Sequence, residues 1–285
     1  MPTLTALSIA RPLLEALAIH PFEGRVMGRF ERAINLAEPT GWVIAVTGPE
    51  IGRGPFSVVV AAPPDFFNQF AVGQPVIADQ HGLTVGKWRL DWSAAAVWEP
   101  RLISPTQPLR LTSKIVHALR PYIDWPAPTE STPVLGERLR QAAAQFSQAL
   151  GDKTKAEQVA RAASSLAGLG SGLTPAGDDY LVGAMAALWL TDLKALLPEI
   201  AAAAVPQTTT LSAAFLTAAA RGEFLEPWHH LAQSLYTGTI ESLSRALAQV
   251  ATFGASSGRD ALAGFTTSLY RLRTRMRGIK RMSQQ

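Results

Sequence analysis

The stretch Gly168-Leu169-Gly170-Ser171-Gly172-Leu173-Thr174-Pro175-Ala176-Gly177-Asp178-Asp179 reads as a loop feeding a helix. Four glycines let the backbone turn tightly and approach another group without Cβ hindrance. Thr174-Pro175 predicts the helix start, with Thr174 as N-cap and proline at the first helical position. Asp178 and Asp179 then fall in the opening turn, where carboxylates suit the positive end of the helix dipole. From Leu181 onward Val-Gly-Ala-Met-Ala-Ala-Leu-Trp-Leu is apolar on every face, so this helix is expected inside a core. The loop offers amide donors at Gly170, Gly172, Leu173, Ala176 and Gly177, an arrangement suited to phosphate or carboxylate at a helix N-terminus. A plain helix cap at the end of a connection is the simpler alternative.

A second copy stands near the end of the chain. Gly177-Asp178-Asp179-Tyr180-Leu181-Val182-Gly183 and Gly258-Arg259-Asp260-Ala261-Leu262-Ala263-Gly264 share the pattern G-x-D-x-L-x-G. In each copy the aspartate precedes the last glycine by four residues, which sets both on one helix face. Ser256 and Ser257 supply hydroxyls before the second helix, and Ser257 with Asp260 has the spacing of a capping box. If the two glycines mark a close helix crossing, Asp179 and Asp260 meet at one pocket with the donor-rich loop as its wall.

Around these motifs the chain is predicted to be helical. Alanine-rich segments with helical spacing cover residues 135–150, 153–167, 175–196, 210–220, 224–236, 239–253 and 258–277. Residues 109–123 also have helical spacing, with Leu111, Ile115, Leu119 and Ile123 four apart. The N-terminal part differs. Residues 6–19 are expected to form a short helix with Pro12 near its start. After it come β-branched and aromatic runs at 25–30, 42–47, 56–61, 75–78, 83–90 and 95–98, broken by turn clusters. The predicted fold class is therefore α+β: a small β-barrel or sandwich-like N-terminal domain (1–125), a proline-rich linker (126–134), and an all-α domain (135–285). Trp88, Trp92 and Trp98 are read as core residues rather than as a groove.

Composition narrows the chemistry. The 285 residues are 47% apolar and 17% charged, enough for a packed core and unlike a disordered chain. With no cysteine, disulfides, thiolate metal sites and a cysteine nucleophile are excluded. None of the five histidines (His20, His81, His117, His229, His230) sits in an H-E-x-x-H pattern, and adjacent His229 and His230 cannot share a helix face. The longest apolar run, residues 181–190, is about half of what a membrane span needs. No basic signal-like opening is present, so the expectation is a cytoplasmic protein with no membrane partner. The net charge of +4 is modest. The terminal series Arg271, Arg273, Arg275, Arg277, Lys280 and Arg281 lacks interleaved aromatics and reads as a solvated tail, not a nucleic-acid surface.

The candidate ligand residues are Gly170, Gly172, Thr174, Gly177, Asp178, Thr210, Arg221, Ser256, Ser257 and Gly258, with Asp179 and Asp260 as candidate catalytic groups. Asp178 and Asp179 suit either Mg²⁺ beside a phosphate or hydrogen bonds from an amide NH₂; Mg²⁺ is the one cofactor the pattern admits, and no other is indicated. Thr208-Thr209-Thr210 forms another hydroxyl-rich helix start. Arg221 can fork onto a carboxylate or phosphate, or simply complement a helix C-terminus with Gly222 as its stop. The loop is neither a Walker A motif nor a Rossmann fingerprint, because no Gly-Lys-Ser/Thr follows and no strand leads in.

The sequences GLGSGLTPAGDDYLVG (168–183), TTTLSAAFLTAAARGEF (208–224) and FGASSGRDALAGF (253–265) resemble the AllH-type family, which is tied to oxamate carbamoyltransferase in anaerobic allantoin breakdown. The likeness is concentrated in the C-terminal half. That family more often has Pro at Ser171, Ser at Ala176, a His-Thr pair at Ala255-Ser256 and a small polar residue at Arg259. The resemblance implies a subunit that transfers a carbamoyl group between carbamoyl phosphate and oxamate or oxalurate, in company with other subunits. Two readings stay open: an enzyme or enzyme subunit acting on a small carboxylate or phosphate metabolite, and a non-catalytic anion-binding or assembly subunit.

Overall fold

The computed structural model describes residues 1–103, 109–125, 132–151, 156–191 and 193–282, with residues 273–282 described by backbone alone. The chain divides into two compact units. The first comprises Met1–Arg101 together with Glu223–Glu226, and the second Leu102–Gly222 with Pro227–Gln285.

The first unit is a closed barrel. Its elements are β1 (Thr3–Ala10), α1 (Arg11–Ile19), β2 (Phe22–Phe30), β3 (Ala33–Ala37), β4 (Val43–Thr47), β5 (Ser57–Val60), β6 (Pro75–Ala78), β7 (Gly82–Val85), β8 (Trp88–Asp91) and β9 (Ala96–Trp98). Eight strands run in the ring order β5-β4-β3-β2-β6-β7-β8-β1, and β1 returns to β5. β1 makes the closure because it serves three neighbours. Ala6, Ser8 and Ile9 pair antiparallel with β5. On the other edge Thr3, Leu4 and Thr5 pair parallel with β8, while Ser8, Ile9 and Ala10 pair parallel with β9. Closure removes the open edge that a flat sheet would present. β4 (VIAVT) and β5 (SVVV) are buried throughout, as β-branched residues in a barrel wall should be. Leu13 and Leu17 of α1 join Phe22, Ile34, Leu36, Ile44, Val58 and Leu90 in one core. Residues 223–226 belong to this unit: the Phe224 amide donates to the Pro100 carbonyl and the Glu226 amide to the Arg53 carbonyl, each at 2.9 Å. The Glu226 carboxylate pairs with the Arg53 guanidinium, which also lies over the Trp98 ring.

Three local expectations are corrected here. Residues 6–10 are strand, not helix; their backbone is paired on both edges, and the helix begins only at Arg11, with Pro12 in its first turn. The run 83–90 is a hairpin that turns at Gly86, whose φ of +56° suits glycine. β3, a short A-I-N-L-A segment, was absent from the sequence reading. Of the three tryptophans, Trp92 is buried in the core, whereas Trp88 and Trp98 are half-buried; Trp88 packs edge-on against Phe66.

The second unit is helical: α2 (Ser113–Leu119), α3 (Pro133–Ala149), α4 (Ala156–Leu166), α5 (Ala176–Trp189), α6 (Leu197–Ala204), α7 (Thr210–Ala220), α8 (Glu226–Thr237, entering from the first unit), α9 (Ile240–Ala251) and α10 (Ser257–Met282). Among its described residues no strand forms. The α+β class therefore holds, with the barrel first and the helices after it. Of the expected linker, residues 126–131 lie outside the described residues, and Pro133 and Val134 already belong to α3. The helix expected over 175–196 stops at Trp189, and α6 follows separately with Pro198 in its first turn. The Tyr236 hydroxyl donates to the Leu190 carbonyl at that break, at 3.0 Å. α5 lies at the centre: its residues from Gly177 to Leu188 are buried apart from Val182. Apart from Arg271, the side chains of the basic terminal series lie outside the described residues.

Candidate functional site

The site is built where α5 crosses α10. A Cβ on Gly183 would stand 1.7 Å from the Ala261 carbonyl oxygen, and one on Gly264 would stand 1.9 Å from the Tyr180 carbonyl oxygen. Only glycine permits backbone to lie on backbone this way. The opening glycines repeat the device against the preceding helices. A Cβ on Gly177 would meet the Leu166 carbonyl of α4 at 2.1 Å, and one on Gly258 would meet the Val250 carbonyl of α9 at 1.9 Å. The two G-x-D-x-L-x-G segments are thus equivalent halves of one crossing: α4–loop–α5 against α9–turn–α10. Gly258 is consequently a packing residue whose Cα faces a carbonyl, not open space.

The crossing brings the two acids together. Asp179 is 9% exposed and Asp260 1%. Burial pushes the Asp179 carboxyl well above the ordinary aspartate range; the Ser257 and Thr174 hydroxyls pull it back, and the negative fields of Asp260 and then Asp178 add to the rise. Asp179 Oδ2 is buried and accepts no hydrogen bond. Such an atom is costly unless protonated or met by a donor. The Thr174 and Ser257 hydroxyls lie 3.0 Å apart and join the two halves. Asp260 Oδ1 accepts the indole N–H of Trp125, whose ring lies 4.7 Å from the Tyr180 ring. Trp125 and Tyr180 escaped the sequence reading; nothing about an isolated D-W-P step marks it as a site component.

Several local roles differ from those expected. α5 begins one residue later than predicted: Pro175 is the N-cap, and its carbonyl accepts from the Asp178 amide at 2.9 Å and the Asp179 amide at 3.2 Å. Thr174, freed from capping, turns to Ser257. Gly177 has no open donor, because its amide bonds the Leu169 carbonyl at 2.8 Å. Asp178 is a brace. It accepts the Gly168 amide at 3.0 Å and the Thr208 hydroxyl, and burial still raises its pKa despite those two bonds. Ser257 is the first residue of α10 and no capping box forms with Asp260, whose amide bonds the Ser256 carbonyl at 3.0 Å. Ser256 thus caps α10 through its backbone.

In the third hydroxyl cluster the working residues are Thr208 and Thr209. Thr209 accepts from the Ser212 amide at 3.2 Å and donates to the Leu173 carbonyl at 2.5 Å, while Thr210 is exposed as the first residue of α7. Arg221 caps the far end of α7, about 16 Å along the helix from Thr210 at 1.5 Å per residue. Its neighbour Gly222 lies against the Trp189 ring, at the end of α5 opposite to Asp179. Within the loop, Gly170 (φ +135°) and Gly172 (φ +86°) hold conformations side chains rarely adopt. Among the described residues the amides of Gly170, Gly172, Leu173 and Ala176 make no backbone hydrogen bond. Four amides of the loop are thus left without a backbone acceptor.

The family model described as oxamate carbamoyltransferase subunit AllH matches residues 166–269, the span containing both acids and the loop. A second model, the AllH family N-terminal domain, matches residues 5–97, the barrel. The chain belongs to the AllH family. No solved structure matches it. The AllH span opens at the end of α4 and closes within α10, so it takes in the whole crossing, whereas the AllH N-terminal span ends inside β9.

Among the described residues no group of three or more His, Asp or Glu side chains is gathered closely enough to hold a metal ion. No described helix is long and apolar enough to cross a membrane.

Proposed function

We propose that this AllH-family chain supplies a carbamoyl-transfer site, working between carbamoyl phosphate and oxamate or oxalurate, with the Gly170–Ala176 amides receiving the anionic oxygens. The observation that carries the reading is the buried Asp179 carboxyl, raised in pKa, with Oδ2 unbonded, beside Asp260. In the transfer the amide nitrogen attacks the carbamoyl carbon, a C–N bond forms, and the C–O bond to phosphate breaks. The nitrogen sheds a proton and the departing phosphate gathers charge. A protonated Asp179 is a donor for the developing oxyanion or leaving oxygen, and Asp260, which already accepts the Trp125 N–H, is the acceptor for the amide proton. Loop amides without a backbone acceptor are the donors for the phosphate oxygens.

A second reading, a ligand-sensing or assembly subunit, is favoured by the absence of histidine from both loops, where Ala255 stands in the position at which the resembled family often has His. Calorimetry of the purified chain with carbamoyl phosphate, oxamate, oxalurate and ATP, with and without Mg²⁺, separates the two. Binding of carbamoyl phosphate that Asp179→Asn and Asp260→Asn each weaken at least tenfold supports the transfer site. Binding indifferent to both substitutions overturns it.

A further inference from the structure

Asp179 and Asp260 hold equivalent places in the two halves of the crossing, so the repeat by itself makes them alike. What distinguishes them lies around it. The residue before Asp179 is Asp178, whose negative field bears on it, whereas the residue before Asp260 is Arg259. The hydroxyls that act on Asp179, from Ser257 and Thr174, come from the starts of the two halves. Asp260 has a partner that belongs to neither half: the indole N–H of Trp125, donated to Oδ1.

Trp125 is delivered by the segment that leaves α2. The Tyr270 hydroxyl of α10 donates to the Val116 carbonyl at 2.6 Å and ties α2 to the later part of α10. A 3-10 turn follows at Arg120–Tyr122, closed by the Ile123 amide on the Arg120 carbonyl at 3.2 Å. Trp125 then meets Asp260, ten residues before Tyr270 and about 15 Å back along the helix. The segment is therefore fixed to α10 at two levels. The Trp125 ring also lies against the Tyr180 ring, with centroids 4.7 Å apart, and Tyr180 is 2% exposed and follows Asp179 directly. One side chain thus touches α5 through its ring and α10 through its N–H.

That contact suits the task given to Asp260. The terminal torsion of an aspartate is broad unless a directional partner holds it. A donor on one oxygen fixes the carboxylate plane, makes the two oxygens inequivalent and favours the ionised form. A proton acceptor needs both the orientation and the charge. A hydroxyl can reverse its role and accept, but an indole N–H only donates, so Trp125 imposes one arrangement.

We infer that Trp125 is a positioning residue of the candidate site: its N–H holds the Asp260 carboxylate in the orientation in which it receives the amide proton, and the buried Tyr180 ring seats the indole. This role rests on the transfer reading above, and the test keeps the two apart. The full chain is isotope-labelled in its tryptophan nitrogens and aspartate carboxyl carbons. The Trp125 indole signal is assigned by its loss in Trp125→Phe or Trp125→His, and the Asp260 carboxyl signal by its loss in Asp260→Asn. Asp260→Asn should move the Trp125 N–H resonance further than Asp179→Asn does. Trp125→Phe keeps a ring against Tyr180 without an N–H, and should shift or broaden the Asp260 signal. Trp125→His restores a ring N–H and should return that signal toward the parent's. With carbamoyl phosphate and oxamate, Trp125→Phe should lower kcat at least tenfold with KM within threefold, and Trp125→His should recover most of the loss. If Trp125→Phe misfolds, Asp260→Asn read at the Trp125 resonance still decides. A Trp125 resonance indifferent to Asp260→Asn, or an Asp260 signal unchanged in Trp125→Phe, overturns the role. Equal loss of kcat in the Phe and His variants makes Trp125 a packing residue and overturns it too. A parent that transfers no carbamoyl group refutes the transfer reading alone, and the two resonances then settle whether Trp125 orients Asp260.

Discussion

Gly183 and Gly264 are reciprocal: each lies against the backbone of the other's helix, Gly183 on the Ala261 carbonyl and Gly264 on the Tyr180 carbonyl. One residue beyond Tyr180's amide side, and one before Ala261, stand the two acids. The spacing that creates the close crossing is thus the spacing that sets Asp179 and Asp260 face to face.

Gly183→Ala and Gly264→Ala should each destabilise the second unit by about 2–3 kcal/mol or more, since the clash is with backbone that has no rotamer to yield. Thermal melts of the two single variants measure the loss. A melting temperature within a degree of the parent would mean that the helices separate without cost.

Neighbouring Asp178 and Asp179 should respond oppositely to substitution. Asp178→Ala strands the Gly168 amide and the Thr208 hydroxyl and is expected to cost about 2–4 kcal/mol. Asp179→Asn removes an acid whose ionised form is disfavoured, and should leave stability at neutral pH equal or higher while ligand affinity falls. Chemical denaturation at pH 7.5 compares them directly.

Asp179 also sets a pH signature. Its folded pKa lies well above its ordinary value of 3.8, so the folded state binds the extra proton. The corresponding stability is complete below the unfolded pKa and declines as pH rises through the interval up to the raised folded value, by up to about 1.4 kcal/mol per pH unit. The parent's stability should therefore fall with rising pH across that interval relative to Asp179→Asn. Denaturation curves of the pair from pH 4 to 8 that run parallel would refute the raised pKa.

The loop glycines divide by what surrounds them. A Cβ at Gly172 meets nothing within 4 Å, whereas one at Gly170 would come 2.5 Å from the Ala176 amide nitrogen. Gly172→Val should cost about 1–2 kcal/mol for its positive φ, leave the fold intact and block anion approach to the amides. Gly170→Val should unsettle the start of α5 itself. Circular dichroism and calorimetry with carbamoyl phosphate distinguish the two, and full anion affinity in a folded Gly172→Val would make the loop a structural element only.

Much of this architecture is written locally. The unbroken β-branched runs of β4 and β5, the alanine-rich helical spacing of α7, and the repeated G-x-D-x-L-x-G each depend on residues near one another in the chain, so the α+β class and the equivalence of the two halves follow from the sequence. What local pattern does not carry is the partner of each polar group. Thr174 has the chemistry of an N-cap, yet it faces Ser257, because the crossing places that hydroxyl 3.0 Å away. Gly177 has an amide, yet the Leu169 carbonyl claims it. Ala6–Ala10 carries helix-forming residues, yet β5 and β9 pair with both its edges. Trp125 and Asp260 are far apart in the chain and meet only when α10 packs on α5. The sequence by itself determined the strand-rich first part, the helical second part and which two glycine–aspartate motifs match. Tertiary packing decided which amides are claimed and which carboxylate oxygens are left without a donor, because those depend on groups that long-range contacts bring within hydrogen-bonding reach.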